Sequence, residues 1–264
     1  MIIDFHTHIF PDDLAHRATE QLRIKAKGQY PLFSDGTLAG LRRCMARWSI
    51  DISVVQPVVT RGSQLRETNR WAASIGDRDI ICFGGIYPHT DDYRRDIDYV
   101  AGLGLKGLKF HPEYQDFVLD APEMLPIYDY ALSKGLILLI HGGYDPAYTA
   151  PFRSSPRGFS NVWKAMRGGV IVAAHLGGAQ QWDDVEKYLV GTGIYLDTAM
   201  GFDYFPHDQF LRIVEGHGAD RILFATDSPW SDAGAEAEQL RGLPLSEEEK
   251  EKILGGNARR LLGI

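Results

Sequence analysis

The residues of this sequence that can do chemistry stand at the ends of short apolar runs. Ile2-Ile3-Asp4-Phe5 leads into His6-Thr7-His8, and Gly107-Leu108 leads into Lys109-Phe110-His111. Leu136 to Ile140 ends at His141, Val170 to Ala174 ends at His175, and Ile222 to Thr226 ends at Asp227. Side chains in a strand alternate between its faces, so His6 and His8, at i and i+2, point the same way. Two imidazoles aimed at one point are what chelation of a divalent metal requires. Three imidazoles with a carboxylate suit Zn²⁺ and leave room for a water. Taken singly, each residue has a plainer reading. A strand-end histidine is commonly a hydrogen-bonded structural residue, and Asp227 before Ser228-Pro229 can cap a helix. Together, His6, His8, His141, His175 and Asp227 all fall at C-terminal ends of strands, and none falls inside a helix.

Strand-length apolar runs recur at 2–6, 52–58, 80–86, 106–110, 136–141, 170–175, 194–198 and 222–227. Helical patterns lie between them at 37–49, 64–76, 92–102, 122–134, 158–167, 181–190 and 207–217. Asp35 precedes a Leu38/Leu41/Met45/Trp48 stripe, and Asp120-Ala121-Pro122 reads as a helix start. Lys134-Gly135 ends that helix. Ser246 with Glu249 forms a capping box, and Gly255-Gly256 reads as the stop of the helix that follows. Leu136 to Ile140 and Val170 to Ala174 are apolar on both faces, as parallel strands covered by helices are. The expectation is an α/β fold, a single-domain (β/α)₈ TIM barrel over residues 1–264, with an open doubly wound sheet as the alternative. No Gly-x-Gly-x-x-Gly follows the first strand, which counts against dinucleotide binding. Long connections at 9–34 and 142–157 follow the first and fifth strands, on the side where barrel active sites are built.

The bulk properties narrow the function class. At 264 residues and 44% hydrophobic, the chain is long enough for one barrel. A net charge of −7 argues against a nucleic-acid partner. Cys44 and Cys82 lack metal or redox spacing and read as small apolar side chains. The first residues show no basic-then-apolar leader, and no apolar run approaches the roughly 20 residues of a membrane span. The expectation is a soluble cytoplasmic protein acting on a small molecule, with a homodimer as a compatible assembly.

Ile3-Asp4-Phe5-His6-Thr7-His8, Gly107-Leu108-Lys109-Phe110-His111-Pro112, His141-Gly142-Gly143, Ala174-His175-Leu176-Gly177-Gly178, Thr226-Asp227-Ser228-Pro229 and Asn257-Ala258-Arg259-Arg260 occur in order along the whole chain. In this the sequence resembles the amidohydrolase superfamily. It is most similar to the amidohydrolase-related branch that includes aminocarboxymuconate-semialdehyde decarboxylase and pyrone-dicarboxylate lactonase. The resemblance implies one divalent metal, usually Zn²⁺ with Mn²⁺ as alternative, on His6, His8, His141 and Asp227. Such a metal lowers the pKa of its water towards about 7. Asp227 then serves as general base as well as ligand, and His175 orients the water or stabilises an oxyanion. The plainer alternatives for His175 are a fifth metal ligand or a residue that bonds and orients one of the ligands.

Other assignments rest on position along the chain. Asp4 is expected to support the ligands by bonding an imidazole, with a structural buried carboxylate as the equal alternative. Lys109 could bridge two metals as a carbamate; a lysine meeting a substrate carboxylate is the preferred reading. His111, Arg61, Arg153 and Trp230 are candidate substrate contacts, with Tyr87, His89, Trp182 and Phe202 nearby in the strand order. The activity expected is hydrolysis of an amide, lactone or ester bond in a small carboxylated substrate. The alternative is a non-oxidative decarboxylase or hydratase, and a decarboxylase should need an arginine clamp. Gly85-Ile86-Tyr87-Pro88-His89 resembles a segment of barrel deoxyribonucleases. Those place a Glu where this chain has Lys109.

Overall fold

The computed structural model describes residues 1–264. Its strands are β1 (Ile3–Thr7), β2 (Ile52–Val55), β3 (Ile80–Cys82), β4 (Gly107–Phe110), β5 (Ile137–Ile140), β6 (Ile171–Ala173), β7 (Tyr195–Asp197) and β8 (Ile222–Leu223). The helices are α1 (Asp12–Lys25), α2 (Leu38–Trp48), α3 (Leu65–Ile75), α4 (Tyr93–Gly102), α5 (Pro112–Gln115) and α6 (Leu125–Ser133). They continue with α7 (Pro156–Ala165), α8 (Trp182–Tyr188), α9 (His207–His217), α10 (Ala233–Gly242), α11 (Glu247–Glu251) and α12 (Asn257–Leu262). No helix is long and apolar enough to cross a membrane.

Every strand pair is parallel, in the runs β1-β2-β3 and β4-β5-β6-β7-β8. The two runs meet at two seams. Beyond β3, the N–H of Gly84 donates to Gly107 O at 2.8 Å, and that of Lys109 donates to Gly84 O at 2.9 Å. Between β8 and β1, Phe5 N–H donates to Phe224 O at 3.0 Å, and Asp227 N–H to His6 O at 2.8 Å. Parallel bridges join Gly84 to Leu108 and Thr7 to Ser228 at the same places. Each strand therefore has a neighbour on both sides, and the sheet closes into the expected (β/α)₈ barrel.

Burial explains why these strands read as continuous apolar runs. Ile137 and Leu139 of β5 belong to one buried cluster with Ile3, Phe5, Val54, Phe83, Val172 and Leu223. Leu138 and Ile140, on the other face, belong to a second cluster with helix residues such as Leu41, Ile97 and Tyr128. Both faces are covered, so alternation with polar residues is lost.

Helix boundaries show where local signals mislead. α1 lies inside the stretch read as a connection, and only Ala15 and Thr19 of it are buried. It has no apolar stripe, but Asp12 and Asp13 in its first turn and Arg23 and Lys25 in its last complement its dipole. Thr37, rather than Asp35, caps α2, its hydroxyl accepting from Gly40 N–H at 2.9 Å. Asp120 does not start α6, which begins five residues later at Leu125; its carboxylate accepts from Asn161 Nδ2 at 2.7 Å. Gly255 and Gly256 do not stop the terminal helix. A π turn carries it through to α12, and a Cβ on Gly255 would lie 2.6 Å from Met1 O. That glycine serves a close backbone approach.

Candidate metal centre

Three side chains meet where β1 and β8 end. His6 Nε2 lies 3.1 Å from His8 Nε2 and 3.2 Å from Asp227 Oδ1, and His8 Nε2 lies 3.1 Å from the same oxygen. The opposite face of His6 is fixed. Its Nδ1 lies 2.9 Å from Asp197 Oδ2, so Nδ1 carries the proton and Nε2 presents its lone pair to the group. Lys109 Nζ, buried at the end of β4, donates to that lone pair at 2.8 Å. Two nitrogens and a carboxylate oxygen at these separations form a donor set that a divalent cation fits.

The four ligands expected from the resemblance do not all converge. His141 stands in a second group with His111 and Asp145. Its Nδ1 lies 3.0 Å from His175 Nε2, and its ring stacks on His111 at 4.1 Å. The Nδ1 of His175 bonds Ala199 O at 3.1 Å, which leaves its Nε2 as the acceptor for His141. His141 Nε2 is buried without a partner. On its other side, His111 Nε2 faces Asp145 Oδ2 at 3.3 Å.

Electrostatics follow from burial. Desolvation holds His6, His111 and His141 well below the ordinary imidazole value, helped by neighbouring positive groups. The buried Lys109 ammonium is pulled down to about 8, against the opposing carboxylates of Asp227 and Asp197. Burial pushes Asp227 up, but its contact with His8 and the fields of His8, His175 and Lys109 outweigh it. Its carboxyl ends below the usual range. His175 and Asp227 also hold left-handed backbones, at φ 59° and 62°. Each is secured: His175 N–H donates to Asp197 Oδ1 at 2.8 Å, and Asp227 N–H to His6 O.

Other expectations fare unevenly. Asp4 does not bond an imidazole. The carboxylate instead accepts from Thr226 N–H at 3.0 Å and Thr226 Oγ1 at 2.6 Å. Burial raises that carboxyl to about 7. Arg61 is exposed and makes no ion pair, while Arg153 pairs with Asp116 at 2.5 Å. Lys109 here donates to His6 Nε2, the lone pair that a metal would otherwise take. Trp230 is half-buried, its backbone N–H donating to Asp227 O at 3.0 Å. His89 bonds Gln115 O at 2.9 Å, and Phe202 packs in an aromatic cluster with Phe205 and Phe210.

Sequence reasoning missed Asp197, Asp145 and Gln115. Asp197 ends its strand as the named histidines end theirs, and that was the available signal. Gln115 ties three connections together: Oε1 accepts from His111 N–H at 2.8 Å, and Nε2 donates to Val59 O and Ile86 O at 2.8 and 2.9 Å.

The fold is shared with solved structures. An uncharacterized TIM-barrel protein from Bordetella bronchiseptica superposes with a TM-score of 0.77 at 20% identity, over 99% of this chain and 98% of that one. A 5-carboxyvanillate decarboxylase from Sphingomonas paucimobilis gives 0.71 at 18% identity, over 100% and 99%. A protein assigned as a 2-pyrone-4,6-dicarboxylic acid hydrolase from Pseudomonas putida gives 0.67 at 17% identity, over 99% and 97%. No curated protein sequence matches the chain significantly. The family model described as Amidohydrolase matches residues 3–264, and the chain belongs to that family.

Proposed function

We propose that this protein is a metal-dependent hydrolase that cleaves an amide, lactone or ester bond of a small substrate at the mouth of the barrel. The observation that carries this reading is the approach of His6 Nε2, His8 Nε2 and Asp227 Oδ1 to within 3.1–3.2 Å of one another. One Zn²⁺ suits these donors, with Mn²⁺ as the alternative. Bound there, a divalent ion polarises a carbonyl and acidifies a water. Asp227, held ionised, takes the water's proton and returns it to the leaving group. His175, held by Ala199 O and paired with His141 at 3.0 Å, stands beside these donors to orient a water or steady an oxyanion.

Hydrolysis is placed ahead of decarboxylation because the side chains of the two candidate clamp arginines contact no residue of the proposed metal centre. Arg61 points into solvent and Arg153 is paired with Asp116. A metal taking the His6 Nε2 lone pair would release Lys109 from it, and Lys109 would then be available to a carboxylate on the substrate. Incubation of the Zn²⁺-loaded protein with a panel of lactones, esters, amides and aromatic carboxylates separates the readings. Acid release is expected. CO₂ release without acid would put decarboxylation in its place.

A two-metal form of this reading draws on the separate His141–His175 pair at 3.0 Å and on Lys109 against His6. A carbamate formed on Lys109 with CO₂ would then supply oxygen ligands beside His6. Two ions per chain, with a ¹³CO₂-labelled lysine signal, would select it over the one-metal form.

A further inference from the structure

Where β4 and β5 end, the mouth is lined by acceptors that lack donors, and His111 stands at their centre. Its Nδ1 accepts from Tyr114 N–H at 3.5 Å, so the ring is neutral and carries its proton on Nε2. That edge faces Asp145 Oδ2 at 3.3 Å, and the Nδ1 edge faces Glu113 Oε2 at 3.8 Å. His141 stacks on the flat side of the ring at 4.1 Å. Glu113 Oε2 and His141 Nε2 are both buried without a partner. Asp145, Glu113 and His141 are only 8%, 6% and 5% exposed, so bulk water scarcely reaches them.

No lysine or arginine pairs with these groups. The second oxygen of Asp145 accepts only from Ala147 N–H, at 2.8 Å. Arg153 gives Glu113 its backbone N–H at 2.8 Å, while its guanidinium is held by Asp116. Lys109 is turned to His6 Nε2, and Lys25 lies 5.2 Å over the Tyr114 ring without an ion pair. A buried carboxylate without a counter-charge is costly, and so is a buried acceptor without a donor. A ligand that brings both positive charge and N–H donors removes both penalties. One atom each of His111, His141 and Asp145 lies within 4.8 Å of the others, so a single small group can touch all three. The neighbouring wall suits a cation too: Tyr114, edge-on to His111 at 4.5 Å, already takes Lys25 on its face.

We propose that this side of the mouth binds a protonated amine of the substrate, with Asp145 as its counter-ion. The inference rests on the mouth being a metal-dependent active site and names the substrate class of that site. The molecule cleaved carries a cationic amino group beside its amide, lactone or ester bond. An ammonium has three N–H donors and no acceptor, the complement of what Asp145, Glu113 and His141 offer. Charged hydrogen bonds of this kind are worth about tenfold or more in affinity.

Hydroxamates supply the test, because they anchor on a bound metal whatever the substrate. A series of ω-aminoalkanohydroxamates of three to six carbons would be compared with the alkanohydroxamates in which methyl replaces the ammonium. Calorimetry at pH 7 on the Zn²⁺-loaded protein gives the affinities for wild type and Asp145→Asn. At one chain length or more, wild type should prefer the ammonium ligand by about tenfold or more. In Asp145→Asn, which keeps the size of the side chain, that ratio should fall to about one. A wild-type ratio near one at every length overturns the proposal without any variant having to fold. A preference that survives in Asp145→Asn overturns it as well. So does a second metal ion per chain that Asp145→Asn alone removes, because an inorganic cation then takes the amine's place. Failure of wild type to bind any hydroxamate would refute the metal centre itself, and the amine assignment with it.

Discussion

Asp197 Oδ2 and His6 Nδ1 lie 2.9 Å apart, both fully buried, although 191 residues separate them in sequence. The other oxygen of Asp197 accepts from His175 N–H at 2.8 Å and Ala199 N–H at 3.1 Å. One carboxylate therefore sets the tautomer of a proposed ligand and fixes the backbone that carries a second histidine. Groups in that position raise ligand basicity and orient the ring. Asp197→Asn keeps an acceptor but removes the charge, and it should weaken metal affinity at least about tenfold. Competition against a fluorescent chelator measures this, with circular dichroism to confirm the fold. Affinity unchanged within a factor of about two would remove Asp197 from the site.

Metal content is the more direct check. His6→Ala and Asp227→Ala each remove one donor from a set of three. Purified wild type should carry at least one Zn²⁺ or Mn²⁺ per chain by elemental analysis, and each variant should lose it. Stoichiometric metal retained in both variants would sink the assignment.

Much of this architecture was legible locally, and what was missed has physical causes. All eight strands announced themselves because covered parallel strands are apolar on both faces, as Leu138 and Leu139 are. α1 was hidden because it buries almost nothing, so no 3.6-residue stripe forms. His6, His8 and Asp227 could be picked out by residue type at strand ends. The split of His141 away from them could not, since it depends on which nitrogen each ring presents. Asp197 lacks any short-range spacing to its partner. Asp4 stands two residues before His6, but its carboxylate is taken by Thr226, a partner 222 residues away that no local spacing announces.

Gly143 holds two mouth loops at a distance that no side chain permits. Its φ is +82°, and a Cβ there would lie 2.4 Å from Ala179 N and 2.5 Å from Ala179 O. Both obstacles are backbone, so neither can rotate away. The contact joins the loop of His141 to that of His175 through a parallel bridge between Gly143 and Ala179. Gly143→Ala should destabilise the fold by about 2 kcal/mol or more. Urea denaturation measures it. A loss below about 0.5 kcal/mol, the range of neutral surface changes, would mean the loops part without penalty.

Glu236 couples stability to pH at the opposite side of the mouth. Buried in α10, it accepts from Ser231 Oγ at 2.7 Å and from Phe202 N–H at 3.2 Å, joining the loops after β8 and β7. Burial raises its carboxyl from 4.5 to about 7. Below 4.5 the group is protonated in both folded and unfolded chains, and its contribution is fully present. As pH rises towards 7 the unfolded chain releases a proton that the folded chain keeps, so stability falls. At about 1.4 kcal/mol per pH unit, the loss across this window is on the order of 3 kcal/mol. Glu236→Gln cannot titrate. Its unfolding free energy relative to wild type should therefore improve by that order between pH 5 and pH 8, whatever the substitution costs at pH 5. Chemical denaturation of both proteins at the two pH values isolates the term, because every other titrating group is common to them. A difference that stays constant with pH would show that Glu236 ionises in the folded protein as freely as in the unfolded chain.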